Sequence, residues 1–339
     1  MRIYGDWKKI VIVLCLMIFA LAPLIHQSQY IMHVTIMFFI WGVVASLWNL
    51  LAGYAGVLSL GNMAFLLIGG YISGILSKTF GVSPWIAILI AGLVTMIVVT
   101  IILALPALRL TGIYIALLTI IFSDALPSLL TQTRQYSGGA AGLKEIPLFW
   151  PGMERIHAYY LIFAVFLVIL VIIHRIIHSN TGLAFQAMRD DEELALSLGV
   201  NLYFEKIKVF AVCSFFTGLI GGVYVHYLSS ISPATNSLES FMLAMCMIFL
   251  GGLARFPGAV VGALFLTFTN EFLQLTGTLR PLLIGLIICM LILFLPDGFM
   301  QIVDWIDRKI EKLSSNSTLK PGTILTNIVV KSFNLNRRR

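Results

Sequence analysis

Apolar runs of membrane-crossing length alternate with short polar joints along almost the whole chain. A spanning helix needs about 20 mostly apolar residues, each rising about 1.5 Å through about 30 Å of hydrocarbon. Ten runs approach or meet this length: roughly 10–25, 30–51, 58–76, 84–105, 112–132, 158–177, 207–228, 240–254, 258–275 and 280–295. The pattern predicts an all-α polytopic membrane protein of about ten transmembrane or re-entrant helices. The eighth run is short and the third is rich in glycine. Either is a candidate for a re-entrant or broken segment, which needs protein or a wet cavity around its backbone.

The longest internal polar interruption is 178–206, and within it Gly182–Asn201 reads GLAFQAMRDDEELALSLGVN. It predicts one helix, with Leu183, Ala187, Leu194 and Leu198 as an apolar stripe, Arg189 to Glu193 mid-helix and Gly199 as the stop. Two readings of this helix stand: a solvated loop, or a surface that docks in a partner's groove with its charges at the rim. After the last run, Phe299, Ile302, Val303, Ile306, Ile310 and Leu313 recur at helical spacing. Segment 299–339 therefore reads as an interfacial amphipathic helix followed by a basic tail. The whole of 1–339 reads as one transmembrane unit.

Composition agrees with lipid as the solvent. Of 339 residues 59% are hydrophobic and 11% charged, against roughly 25% charged in soluble domains. With the N-terminus inside, inside segments carry 17 of the 22 Lys and Arg residues, and Lys78, Arg134, Lys144, Arg155 and Arg280 lie outside. The positive-inside bias thus predicts cytoplasmic N- and C-termini, a cytoplasmic 178–206 and a long outside loop at about 133–157. No small-residue cleavage site follows the first apolar run, so it reads as a retained span.

Chemistry-bearing clusters are sparse. Cys15, Cys213, Cys246 and Cys289 stand singly in apolar runs and read as small buried hydrophobes. His174 and His178 have metal-ligand spacing but no third ligand in sequence, and read as interface anchors. Tyr224, His226 and Tyr227 read as an aromatic belt. Nothing clusters as nucleophile, base and metal set, and no phosphate-binding G-x-x-x-x-G-K-[ST] loop occurs. The basic excess follows topology rather than a nucleic-acid site.

Glycine and buried charge supply the remaining candidates. Gly70/Gly74, Gly218/Gly222 and Gly258/Gly262 are small-xxx-small pairs that let helices approach. In Gly53–Gly61, glycines free backbone groups whose partners are neighbouring helices or a permeating solute. Gly53, Tyr54, Gly56, Ser59 and Gly61 are thus candidate path residues. Asp124 and Glu271 join them as acids within runs, which usually face a bundle interior or a cavity.

The polar segment also carries a family likeness. Gly182, Ala184, Ala187, Arg189, Glu192, Ala195, Gly199 and Asn201 match a G-x-A-x-x-A-x-R-x-x-E-x-x-A-x-x-x-G-x-N spacing. This resembles the coupling-helix region of bacterial branched-chain amino-acid ABC permeases. Asn49–Tyr71 resembles the family's N-L-x-x-G-Y-x-G-x-x-S-x-G segment, and LPALRLTGIYIALLT with SGGAAGL resembles its next blocks. Ile248–Ala263 and Leu293–Phe299 resemble its closing segments. The likeness covers most of 40–300 in order, and the R-L-x-G-x-Y and R-x-x-E blocks favour the LivM type over its LivH partner. Leu183 and Gln186 depart from it, standing where the family often has basic residues.

The resemblance implies a permease in a bacterial inner membrane, without enzyme activity or a cofactor of its own. Two cytosolic ATPases would carry ATP and Mg, a LivH-type sister permease would complete a heterodimer, and an external binding protein would deliver leucine, isoleucine or valine. Coupling to the ATPases would fall on Gly182, Ala187, Arg189, Glu192, Ala195 and Gly199. Two rivals stand beside it: the same machine carrying urea or short amides, and an ATPase-independent secondary transporter or channel. The second has little support, since the runs lack the acid or histidine chain of a proton relay.

Overall fold

A computed structural model of the chain describes residues 17–23, 28–110, 112–294 and 298–301. Its helices are α1 (Gln29–Trp48), α2 (Asn62–Thr79), α3 (Pro84–Val99), α4 (Ile113–Gln132) and α5 (Arg155–Ile177). There follow α6 (Asn180–Asp190), α7 (Glu192–Ser197), α8 (Leu202–Leu228), α9 (Leu238–Gly251), α10 (Gly258–Phe272) and α11 (Arg280–Phe294). Two dipeptide strands, β1 (Leu143–Lys144) and β2 (Ser230–Ile231), pair antiparallel.

Among the described residues, six helical stretches have the length and hydropathy to cross a membrane: Gln29–Tyr54, Pro84–Ala107, Ile113–Gln132, Arg155–Ile177, Leu202–Leu228 and Pro233–Gly251. The chain is therefore a multi-pass, all-α membrane protein. Gly258–Phe272 and Leu282–Leu291 are shorter apolar helices. The first predicted span falls largely outside the described residues, with 17–23 helical. The amphipathic helix and basic tail predicted at 299–339 lie, from 302 onward, outside them too. The third run begins later than its apolar pattern suggested. The irregular backbone precedes α2 rather than interrupting it, because Asn62 starts the helix after the glycines.

α2 sits at the centre. It buries Ser73 and Ser77 as well as its apolar residues, so protein rather than lipid surrounds it. α8 packs on α2 and α3 at glycine level. A Cβ added at Gly69 would run into Gly218 O, and one at Gly221 into Leu66 O. α9 meets α10 in the same way, where a Cβ at Gly262 would strike Met247 O. Of the predicted glycine pairs, Gly258/Gly262 lies at a helix-to-helix contact, and Gly218 serves α8 against both α2 and α3. Gly69 and Gly221, which bring α2 and α8 together, belong to none of them.

The loop end of the bundle is clasped. β1 and β2 tie the 133–157 loop to the one after α8, with Leu143 opposite Ile231. Beneath the clasp lies His226, fully buried, which corrects the aromatic-belt reading. Its Nδ1 donates to Pro147 O at 2.6 Å, so Nε2 accepts from Ser73 Oγ at 2.9 Å. His226→Ala takes this partner from the buried Ser73 hydroxyl, at about 1–3 kcal/mol for such a group, and cuts the tie to Pro147 of the loop. The variant is expected to expose 133–157 to protease faster than the parent and to melt earlier in detergent. Equal cleavage rates and melting midpoints would show that the histidine holds nothing.

Candidate functional site

The end opposite the clasp brings together three segments distant in sequence. α1 continues into a wide turn of π-helix, Asn49–Tyr54, after which the backbone unwinds to Gly61. Asn49 Oδ1 accepts from Ala254 N at 2.9 Å and its Nδ2 donates to Arg255 O at 3.2 Å. One amide side chain thus pins the α9–α10 connection to the unwound stretch. Gly53 has no room for a Cβ, which would meet Asn49 Oδ1 and Ala254 N.

The polar segment seats on this stretch through Arg189. Its Nη1 donates to Gly53 O at 3.2 Å, while Nε and Nη2 hold Asp190 Oδ1 at 2.9 and 2.7 Å. Gly56 lies directly under the arginine. A Cβ there would sit 2.9 Å from Arg189 Cγ, and its φ of +68° disfavours other residues. The sequence placed Gly53 and Gly56 in one candidate set and Arg189 in another; the structure makes them a single joint.

The segment is two helices, not one. Asp191 is extended (φ −161°, ψ 113°) and caps α7, accepting from Glu193 N and Leu194 N at 2.9 and 3.0 Å. The charge run read as mid-helix is a helix junction. The signal was present: Asp-Glu-Glu places an N-cap and two acids where a helix N-terminus favours them. The predicted stripe of Leu183, Ala187, Leu194 and Leu198 is divided between the two helices, and its leucines are exposed. The inward face is instead Phe185, Met188 and Ala195, all buried. Phe185 and Met188, three apart, were overlooked.

Glu192 reaches back to α8. Its Oε1 lies 2.8 Å from Lys206 Nζ, and the lysine side chain is only 7% exposed. Gly182, at the start of α6, crosses so close to α5 that a Cβ would meet Ile177 O. Ser179 caps that helix, accepting from Gly182 N. Ala187 is half-buried on α6. Gly199 ends the segment at φ +84°, and Asn201 Oδ1 caps α8 by accepting from Phe204 N at 3.3 Å.

The other candidate path residues divide. Tyr54 is buried in the π turn. Ser59 O accepts from Trp48 Nε1 at 2.7 Å, and Leu60 N donates to Thr119 Oγ1 at 2.9 Å, so Ser59 and Leu60 brace the unwound stretch against α1 and α4, and Gly61 lies close to Thr119 O. Asn62 beside them is fully buried, and its amide finds no hydrogen-bond partner among the described residues; the sequence reading passed it over. Asp124 is exposed on α4, next to Ser123, whose carbonyl accepts from Asn236 Nδ2 at 2.7 Å. Glu271, at the far end of α10, meets the Tyr30 hydroxyl. Neither acid joins the cluster at Arg189.

His178 Nδ1 donates to His174 O at 2.8 Å, and among the described residues no cluster of three metal-ligating groups occurs. Cys213 is buried, its thiol against Leu47 O at 3.2 Å.

Residues 30–295 match the family profile described as branched-chain amino acid transport system, permease component. The chain belongs to this permease family. It is 24% identical over 320 residues to the high-affinity branched-chain amino acid transport system permease protein LivM of Salmonella typhimurium, covering 86% of this chain and 75% of the relative. It is also 24% identical over 279 residues to the LivM protein of Escherichia coli, covering 74% of this chain and 65% of that relative. The autoinducer 2 import system permease protein LsrC of Photorhabdus luminescens is 28% identical over 156 residues, 44% of this chain and 45% of LsrC. No solved structure matches. On this LivM-type permease, the surface around α7 is apolar as well as acidic. Leu194, Leu196, Leu198, Tyr203 and Phe204 are all exposed, alongside Asp190, Asp191 and Glu193.

Proposed function

We propose that this permease is the path-forming subunit of an ATP-driven ABC importer for branched-chain amino acids, set in a bacterial inner membrane with both termini in the cytoplasm. Two separate cytosolic ATPases bind ATP and Mg, a LivH-type sister permease completes the path, and an external binding protein delivers leucine, isoleucine or valine. The observation that carries the reading is the Arg189–Gly53 joint. It ties the polar segment, the only long internal one the positive-inside bias assigns to the cytoplasm, to the broken end of α1. A motor that moves α6 and α7 therefore moves backbone inside the bundle. Such coupling needs contacts that differ between two states, and an unwound stretch has the freedom to supply them. Asp124 supports a partner or path on the exposed face of α4, since lipid is a poor surrounding for a carboxylate.

The roles within the segment separate. Arg189, Glu192 and Ala195 face the bundle and transmit; Leu194, Leu196 and Leu198 face outward and dock. In the double variant Leu194→Asp, Leu198→Asp, affinity-purified permease is expected to recover the sister subunit but about tenfold less ATPase, because two exposed apolar anchors that docking would bury become carboxylates. ATPase recovered at the parent's ratio would refute the docking role.

A second reading keeps the machine and changes the cargo. The likeness to LsrC, whose name concerns autoinducer 2 import, spans less than half of each chain. Urea and short amides are the other candidates. Competition of each compound against radiolabelled leucine in uptake assays separates the cargoes.

A further inference from the structure

At the clasped end, away from α6 and α7, the first residues of α1 and α5 and the last of α8 line a half-open cavity of about 400 Å³. That volume falls within the range of small-molecule sites, about 300–1,000 Å³. Its lining combines three kinds of group. Arg155 stands at the wall, held there by one bond from Nη1 to Gln29 O at 2.8 Å. A guanidinium has five donors, and no carboxylate of another described residue pairs with this one. Glu154, next to it, lines the same cavity and is likewise in no ion pair with a described residue.

His33 and Tyr227 are also in the lining, joined by a 2.7 Å bond between His33 Nδ1 and the Tyr227 hydroxyl. Their rings lie stacked at 5.6 Å. Met153 and Leu228 add apolar wall. A cation, a carboxylate and hydrocarbon in one cleft are the complement of a zwitterion with an apolar side chain. The ligand's carboxylate answers the guanidinium fork and its ammonium answers Glu154.

We infer that this cavity is a binding site for a free aliphatic amino acid, separate from the Arg189 joint. The ligand class comes from the lining itself. Only the site's place in the cycle, as a landing point before the path, rests on the import reading.

The test is equilibrium binding of radiolabelled leucine to the assembled permease complex in nanodiscs, without binding protein or nucleotide. Saturable binding is expected, displaced by valine. Isopentylamine and 4-methylpentanoate, each lacking one of the two charges, are expected not to displace it. Arg155→Ala and Glu154→Gln should each weaken leucine by about tenfold or more. Met153→Trp, which fills the cavity and leaves both charges, should weaken it as strongly. No saturable binding to the parent, or undiminished binding in all three variants, would overturn the site. Displacement by the amine or the acid alone would overturn it as well. Binding without ATP-driven uptake upholds the cavity while sinking the import reading. Uptake without binding sinks the cavity alone.

Discussion

Permease carrying both Arg189→Ala and Glu192→Ala is expected to assemble with its ATPases and hydrolyse ATP, yet to import leucine at about a tenth of the parent rate or less. Arg189 is the hydrogen bond from α6 to the unwound stretch at Gly53, and Glu192 is the ion pair from α7 to Lys206 of α8. Removing both leaves the exposed leucines Leu194, Leu196 and Leu198 in place and Phe185, Met188 and Ala195 packed, but cuts two polar ties between the segment and the bundle. Coupling between sites is typically worth about 1–3 kcal/mol, or roughly 5- to 150-fold. The loss of two of the segment's polar ties therefore belongs in the tenfold range. Uptake into proteoliposomes with the binding protein inside or outside, measured beside ATP hydrolysis, separates uncoupling from disassembly. Unchanged uptake would remove the joint from the mechanism.

Gly69→Leu is expected to abolish recovery of folded permease. A Cβ alone at this position collides with the backbone of Gly218 on the facing helix, so no rotamer change relieves it. In lipid the helices have no strong hydrophobic drive to re-pack and depend on close backbone approach. Separating α8 from α2 also pulls α8 away from α3, which it meets at Gly218 and Thr95. Fluorescence-detected size exclusion of a tagged chain should show an aggregate peak in place of the monodisperse one. Gly285→Leu, whose Cβ would meet nothing within 4 Å on a helical backbone, serves as the control in which bulk alone is added. A monodisperse Gly69→Leu would show that the crossing tolerates separation.

Much of the scaffold was legible in the pattern. The apolar runs located α4 and α5 to within a few residues, because hydrocarbon thickness sets both their length and their composition. α2 was harder to bound. A helix surrounded by protein has no need to be apolar all round, and its buried Ser77 blurred its end, while apolar Leu58 and Leu60 extended its apparent start. The polar segment 178–206 was legible as a surface but not as a shape. Asp191 reads as one more charge in a solvated run unless its capping role is considered first.

His226 was misassigned for a related reason. A histidine between two tyrosines at a span end suits an interface by composition, and only the fold brings Pro147 and Ser73 to its two nitrogens. The Arg189–Gly53 contact is the extreme case. Its partners stand 136 positions apart, and its acceptor is a backbone carbonyl, which leaves no mark in the sequence.

α8 runs unbroken from Leu202 to Leu228, about 40 Å at 1.5 Å per residue. Near one tip it carries Lys206, tied to Glu192; near the other, His226, tied to the loop that β1 and β2 stitch down. The two faces of the membrane are in this way mounted on the same girder. A tilt imposed at the Lys206 tip must appear at the His226 tip, so motion of α6 and α7 would reach the clasp without a relay of intervening residues.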